Sequence, residues 1–216
     1  MKKAPSTFFA IMALLVVVLA IVYALKDHKP QAISENAAPV IIAGAPSVQY
    51  KSDQLEFSFW YPEGSSAKTD NFEGYLSVTK TPIVAVTLAP SLFQGTNLRE
   101  AGVFIGASSS PAVVGVCAAA SADTGEHVAG SVDVGMTTFS VFTSTDAGAG
   151  NFYDARTYRT IHNGTCFEIV EMLHSSNINN YTPGTVQPFD LTKFSSTLEA
   201  IMNTFVFNTK DNVTSQ

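Results

Sequence analysis

Apolar and polar positions along the chain fall into distinct regimes. From Phe8 to Leu25 the residues are apolar without interruption, with Lys2 and Lys3 before them and Lys26 and Lys29 after. As a helix this stretch rises about 27 Å, close to the roughly 30 Å hydrocarbon core of a bilayer. The pattern predicts a transmembrane anchor over residues 8–25, behind a cytoplasmic tail of residues 1–7. A cleavable signal peptide is the rival reading, because Val22-Tyr23-Ala24 satisfies a small-residue cleavage rule. Signal peptides carry about 7–15 apolar residues, fewer than this run, which favours the uncleaved anchor. Residues 26–50 turn to Ala, Ser, Gln and spaced prolines (Pro30, Pro39, Pro46) and read as a stalk.

A domain over residues 51–208 follows, then a tail of residues 209–216. Leu55, Phe57 and Phe59 alternate with Glu56, Ser58 and Trp60, the period of a half-buried strand, which Tyr61-Pro62 ends. Residues 75–80 and 83–88 predict two further strands. Thr96 or Asn97 is placed to cap a short helix over residues 98–101, with Glu100 completing a capping box. Residues 103–105 form a short strand, and Pro111 opens an Ala/Val helix toward Ala120. Residues 131–134 and 137–143 read as strands, and the glycine-rich residues 146–151 as a loop. Residues 152–161 and 165–173 flank Asn163-Gly164, the strongest short hairpin signal in the chain. After Asp190, Leu191, Phe194, Leu198, Ile201, Met202 and Phe205 share one helical face. About seven strands with two or three helices predict an α+β domain, a predominantly antiparallel sheet flanked by helices.

Three segments carry a family resemblance. Phe57-Ser58-Phe59-Trp60-Tyr61-Pro62 resembles the opening strand of PsbP-like α/β/α sandwich domains. Tyr158-Arg159 through Gly164-Thr165-Cys166-Phe167-Glu168-Ile169 resembles their late hairpin, and the helix from Asp190 into Thr204-Phe205-Val206-Phe207 their closing helix and strand. The arrangement is also similar to single-span extracytoplasmic proteins of small-genome bacteria. The resemblance implies a sandwich fold and a binding or accessory role. The long anchor and the cysteine pair depart from the family, so no photosystem role is implied.

Composition sharpens this picture in two places. The chain is 46% apolar but only 14% charged, and its net charge is −6. Without a run of basic residues it lacks the clustered cation that a nucleic-acid backbone requires, which excludes a nucleic-acid partner. Cys117 and Cys166 are the two cysteines, far apart and outside any CxxC or zinc spacing. An even pair in an exported domain predicts one disulfide, against two buried thiols in a reducing compartment.

Candidate chemistry is sparse. A hydrolase elbow needs Gly-x-Ser-x-Gly, which is absent. His127, His162 and His174 offer bases and Asp146 or Asp154 an orienting carboxylate, yet surface and hairpin-end roles suit the histidines. Asp146, Asn151 and Asp154 supply oxygen ligands around a glycine loop without the twelve-residue calcium register, and no metal or cofactor is expected. Glu168 and Glu171 lie on opposite faces of one strand and read as surface acids. Trp60, Tyr61, Tyr75 and Tyr153 can line an aromatic groove, with Trp60 either beneath a helix or in an exposed patch. The expectation is therefore a single-span membrane protein displaying a binding or accessory domain outside the cytoplasmic membrane. Its ligand patch would include Trp60, Tyr61, Asp146, Asn151 and Asp154. An exported hydrolase and a lipid- or peptide-carrying module are the alternatives.

Overall fold

The computed structural model describes residues 47–69 and 75–208. The expected cytoplasmic tail, the anchor over residues 8–25, most of the stalk and the C-terminal tail lie outside the described residues. No helix among the described residues is long and apolar enough to cross a membrane.

In chain order the elements are β1 (Ser47–Ser52), β2 (Phe57–Pro62), β3 (Ser66–Lys68), β4 (Pro82–Thr87), β5 (Leu98–Ser108), α1 (Pro111–Val116), β6 (His127–Val134), β7 (Thr137–Gly148), β8 (Asn151–His162), β9 (Thr165–Ser176), α2 (Leu191–Met202) and β10 (Val206–Phe207). They form a seven-stranded sheet of order β3-β4-β5-β9-β8-β7-β6 and a three-stranded sheet of order β1-β2-β10. Every neighbouring strand pair is antiparallel. The domain is thus α+β and predominantly antiparallel.

Alternation divides the large sheet into two unlike faces. The inner face is covered by the small sheet and α2. Phe57 and Phe59 of β2, Phe139 of β7, Phe167 of β9, and Phe194 and Leu198 of α2 share one buried cluster with Phe205. Phe57 meets Phe167 edge-on at 5.9 Å, and Phe139 meets Phe205 at the same distance. Each such side chain contributes about 1.5–3 kcal/mol on full burial. The α2 helix starts where Asp190 accepts a hydrogen bond from the Lys193 amide at 3.0 Å. Its Phe194, Leu198, Ile201 and Met202 point into this cluster as their spacing predicts.

The opposite face is covered by α1 and two irregular segments, residues 75–81 and 117–126. Residues 75–80 are therefore not a strand. They cross β5 at Gly106, where a Cβ would collide with Thr79 Oγ1, Leu76 Cδ1 and the Thr81 carbonyl. Glycine is what lets this segment lie on the sheet.

Three other expectations change. Residues 98–101 open the long strand β5 instead of a capped helix. Thr96 Oγ1 donates to the Phe93 carbonyl at 2.7 Å and accepts from the Leu98 amide at 3.2 Å, closing a turn. Pairing with β9 outweighs a four-residue helix that cannot repay its own nucleation. Residues 146–151 are a tight hairpin: Gly148 pairs with Asn151, and Ala149 and Gly150 both take positive φ, at 51° and 78°. The left-handed conformation at both turn positions gives the two-residue hairpin its twist. Finally, residues 47–50, assigned to the stalk, belong to β1.

Candidate functional site

Two residues placed on the surface by their acidity, Glu168 and Glu171, are both buried on β9. On the opposite face Glu168 is enclosed by residues 77–79. Its carboxylate accepts from the Thr79 amide at 2.8 Å, the Val78 amide at 3.1 Å and the Thr79 hydroxyl at 2.9 Å. Arg159, its cross-strand partner, donates through Nε at 3.0 Å. Arg159 also pairs through Nη2 with Glu126 and donates through Nη1 to the Ala119 carbonyl at 2.9 Å. Burial pushes the Glu168 carboxyl up, but the Thr79 amide, the Arg159 charge and the two hydroxyls outweigh it and hold the group below its ordinary value.

This cluster pins residues 119–126 to the sheet. A second pin stands beside it: Cys117 and Cys166 form a disulfide, with Cα atoms 5.8 Å apart and both residues buried. The clamped segment forms one wall of an open cleft of about 620 Å³. Tyr75, Leu76, Asp123, Asp146, Tyr153 and Met172 are among its lining residues.

One cross-strand row crosses the sheet here, its first two members lining the cleft. Asp146 on β7 pairs with Tyr153 on β8, Tyr153 with His174 on β9, and His174 with Glu100 on β5. The Tyr153 ring stacks on the His174 imidazole with centroids 4.4 Å apart. Tyr75 lies 6.2 Å from Tyr153 and donates through its hydroxyl to Glu100 Oε2 at 3.3 Å. His174 Nε2 is 3.0 Å from Asn151 Oδ1. Burial pushes this imidazole below its ordinary pKa despite the Glu100 charge nearby.

The structure divides the residues expected to form a ligand patch. Asp146 and Asn151 face the cleft side of the sheet, whereas Asp154 pairs with Thr145 and Leu173 on the inner face. Burial there raises the Asp154 carboxyl. The three oxygen donors that suggested calcium therefore do not converge. Among the described residues no group of three His, Cys, Asp or Glu is placed to hold a metal. Trp60 and Tyr61 sit on β2 in the small sheet, away from Tyr75 and Tyr153. Trp60 is 44% exposed on the outward side of that sheet, so no helix among the described residues covers it. Its neighbour Tyr61 packs against the inner cluster.

The histidines make no hydrolytic constellation among the described residues. His162 stacks on Phe207 at 3.8 Å and contacts Asn163, and His174 contacts Asn151. Sequence reasoning missed Asp123 and Met172 in the cleft: Asp123 lies in a segment that the Arg159 ion pair with Glu126 and the disulfide hold to the sheet, and Met172 sits on β9. A signal for the buried glutamates was present: Arg156 and Arg159 mirror Glu171 and Glu168 across the Asn163-Gly164 turn.

No protein-family model matches the chain. No curated protein is similar enough to match it. Among solved structures the chain is similar to a crystal structure from Bacteroides thetaiotaomicron VPI-5482, with a TM-score of 0.41 and 12% identity over 75% of this chain. It spans about half of that protein, 48%. It is also similar to the solution structure of cyanobacterial PsbP (CyanoP) from Synechocystis sp. PCC 6803. There the TM-score is 0.34 and the identity 12%, over 79% of this chain and 99% of the other.

Proposed function

We propose that the chain is a single-span membrane protein whose α+β domain, a PsbP-like sandwich, is displayed outside the cytoplasmic membrane and binds a ligand in the Tyr75–Tyr153 cleft. The anchor rests on the apolar run from Phe8 to Leu25, and the PsbP-like assignment on the motifs at residues 57–62, 158–169 and 190–207. One observation carries the binding reading: an open cleft of about 620 Å³ backed by a wall that a disulfide and buried ion pairs fix in place. Volumes of about 300–1,000 Å³ suit small-molecule sites, and a fixed wall reduces the ordering cost of binding. Among the described residues the inner layer is packed with phenylalanine rings, which speaks against a lipid-carrying chamber there.

Methyl-labelled methionine separates the cleft from other surfaces in the full chain held in detergent micelles. Met172 floors the cleft, Met202 lies in the inner cluster and Met136 sits in the exposed β6–β7 turn. A fragment mixture is expected to shift the Met172 methyl signal alone. Shifts confined to Met136 or Met202 would refute the cleft. Protease added to intact cells is expected to digest the C-terminal domain, and its protection would reverse the topology.

A further inference from the structure

We infer that the cleft selects an organic cation, an amine carried on an aromatic or compact apolar body. The inference rests on the cleft being the binding site and adds what it prefers. Its warrant is the arrangement of charge and rings along the row from Asp146 to Glu100. Directly opposed residues in an antiparallel pair have Cβ atoms about 4.5–5.5 Å apart, so Asp146 and Tyr153 enter the cleft from adjacent positions on one face of the sheet. Tyr75 adds a second ring, tilted 43° to the first. Asp123 approaches from the pinned wall, and Leu76, Ala155 and Met172 supply the apolar floor.

Among the described residues no lysine or arginine lines the cleft. Arg159, behind it, is engaged by Glu126 and Glu168. Arg99, beside Glu100 in sequence, donates to Ser176 and lies over the Tyr181 ring. The cleft therefore presents carboxylates without a competing cation, and ring faces whose quadrupoles attract positive charge. An anion would meet repulsion from Asp146 and Asp123. The apolar floor and the absence of a metal-holding cluster among the described residues favour an organic ion over a bare metal ion.

Three probes with one ring and different charge test this: 2-phenylethylamine, 2-phenylethanol and phenylacetate, titrated at pH 7 into the full chain in micelles while the Met172 methyl signal is followed. The amine is expected to bind about tenfold tighter than the alcohol, the sum of one cation–π contact and one partly exposed ion pair. Phenylacetate is expected to bind weakest. Asp146→Asn keeps the oxygen that accepts from the Ala147 amide and removes the charge. It is expected to weaken the amine about fivefold and leave the alcohol unchanged. Equal binding of alcohol and amine at Met172 would overturn the cation preference while leaving the binding site standing. An amine affinity untouched by Asp146→Asn would do the same. Failure of all three probes to move Met172 would overturn the site itself.

Discussion

The β8–β9 hairpin contains the same charge pair twice, with opposite results. Arg159 pairs with Glu168 on one face of the ribbon, and Arg156 with Glu171 on the other, at register positions mirrored about one turn. On the cleft side, irregular backbone folds over the pair and its amides and hydroxyls complete the carboxylate's shell, so Glu168 stays ionised. On the helix side no backbone amide among the described residues reaches Glu171. Arg156 is half-exposed and lies 3.7 Å from Glu199 on α2. Glu171 accepts from the Tyr158 hydroxyl at 3.0 Å. Burial pushes its pKa to about 8, more than Tyr158 and Arg156 counter. Burial and a cross-strand arginine are common to both pairs. What separates them is whether the fold supplies further donors to the anion.

The comparison breaks first at Arg159. Arg159→Met strips two buried carboxylates, Glu126 and Glu168, of their counter-charge and is expected to cost about 3–5 kcal/mol in urea unfolding. A loss under about 1 kcal/mol would show that the amide shell suffices alone. Removing the neighbouring pin comes next. Cys117→Ala with Cys166→Ala is expected to cost about 2–4 kcal/mol and to speed hydrogen exchange in residues 119–126. Unchanged exchange there would leave the disulfide no part in holding the cleft wall.

Glu171→Gln sharpens the contrast through pH. A carboxyl raised from 4.5 to about 8 makes the folded state bind more protons than the unfolded state. Its contribution to stability therefore falls as pH rises through that window. The Gln variant should gain on the native protein by about 1.4 kcal/mol between pH 6 and pH 7. Glu168, lowered in the fold, acts in the other sense: its contribution is present above its unfolded value of 4.5 and is lost as pH falls below it. A Gln variant whose advantage does not grow with pH would remove the distinction between the two glutamates. The smallest effect belongs to Arg156→Gln, which breaks a half-exposed pair and is expected to cost under about 1 kcal/mol. A loss as large as that of Arg159→Met would make the two faces energetically alike.

Where periodicity and turn chemistry act locally, the fold was legible. The Asn163-Gly164 hairpin and the α2 helix follow from residues within a few positions of one another. The β5 strand was obscured because Thr96, Asn97 and Glu100 carry a good helix-start signal, which pairing with distant β9 overrides. Residues 75–80 alternate like a strand yet give their amides to a carboxylate far along the chain. Of the site, Tyr75, Tyr153, Asp146 and Asn151 were nameable as aromatic or oxygen-bearing candidates. Their grouping, and the separation of Asp154, follow from register, which shifts a side chain to the other face with every single-residue step.

The strand order also predicts a sequence of assembly. Strands β6 to β9 succeed one another through tight turns and can zip together from local contacts. The strand β5 joins them only by closing the long intervening loop, and its last pair sets Ser108 opposite Cys166. That closure also brings Cys117, at the end of α1, within reach of its partner. Oxidation of the two thiols is therefore expected to come late, after the sheet is in register, and thiol trapping during refolding that found the bond before β5 was protected would reverse the order. A chain oxidised in this way carries a covalent record that its most distant strands have met.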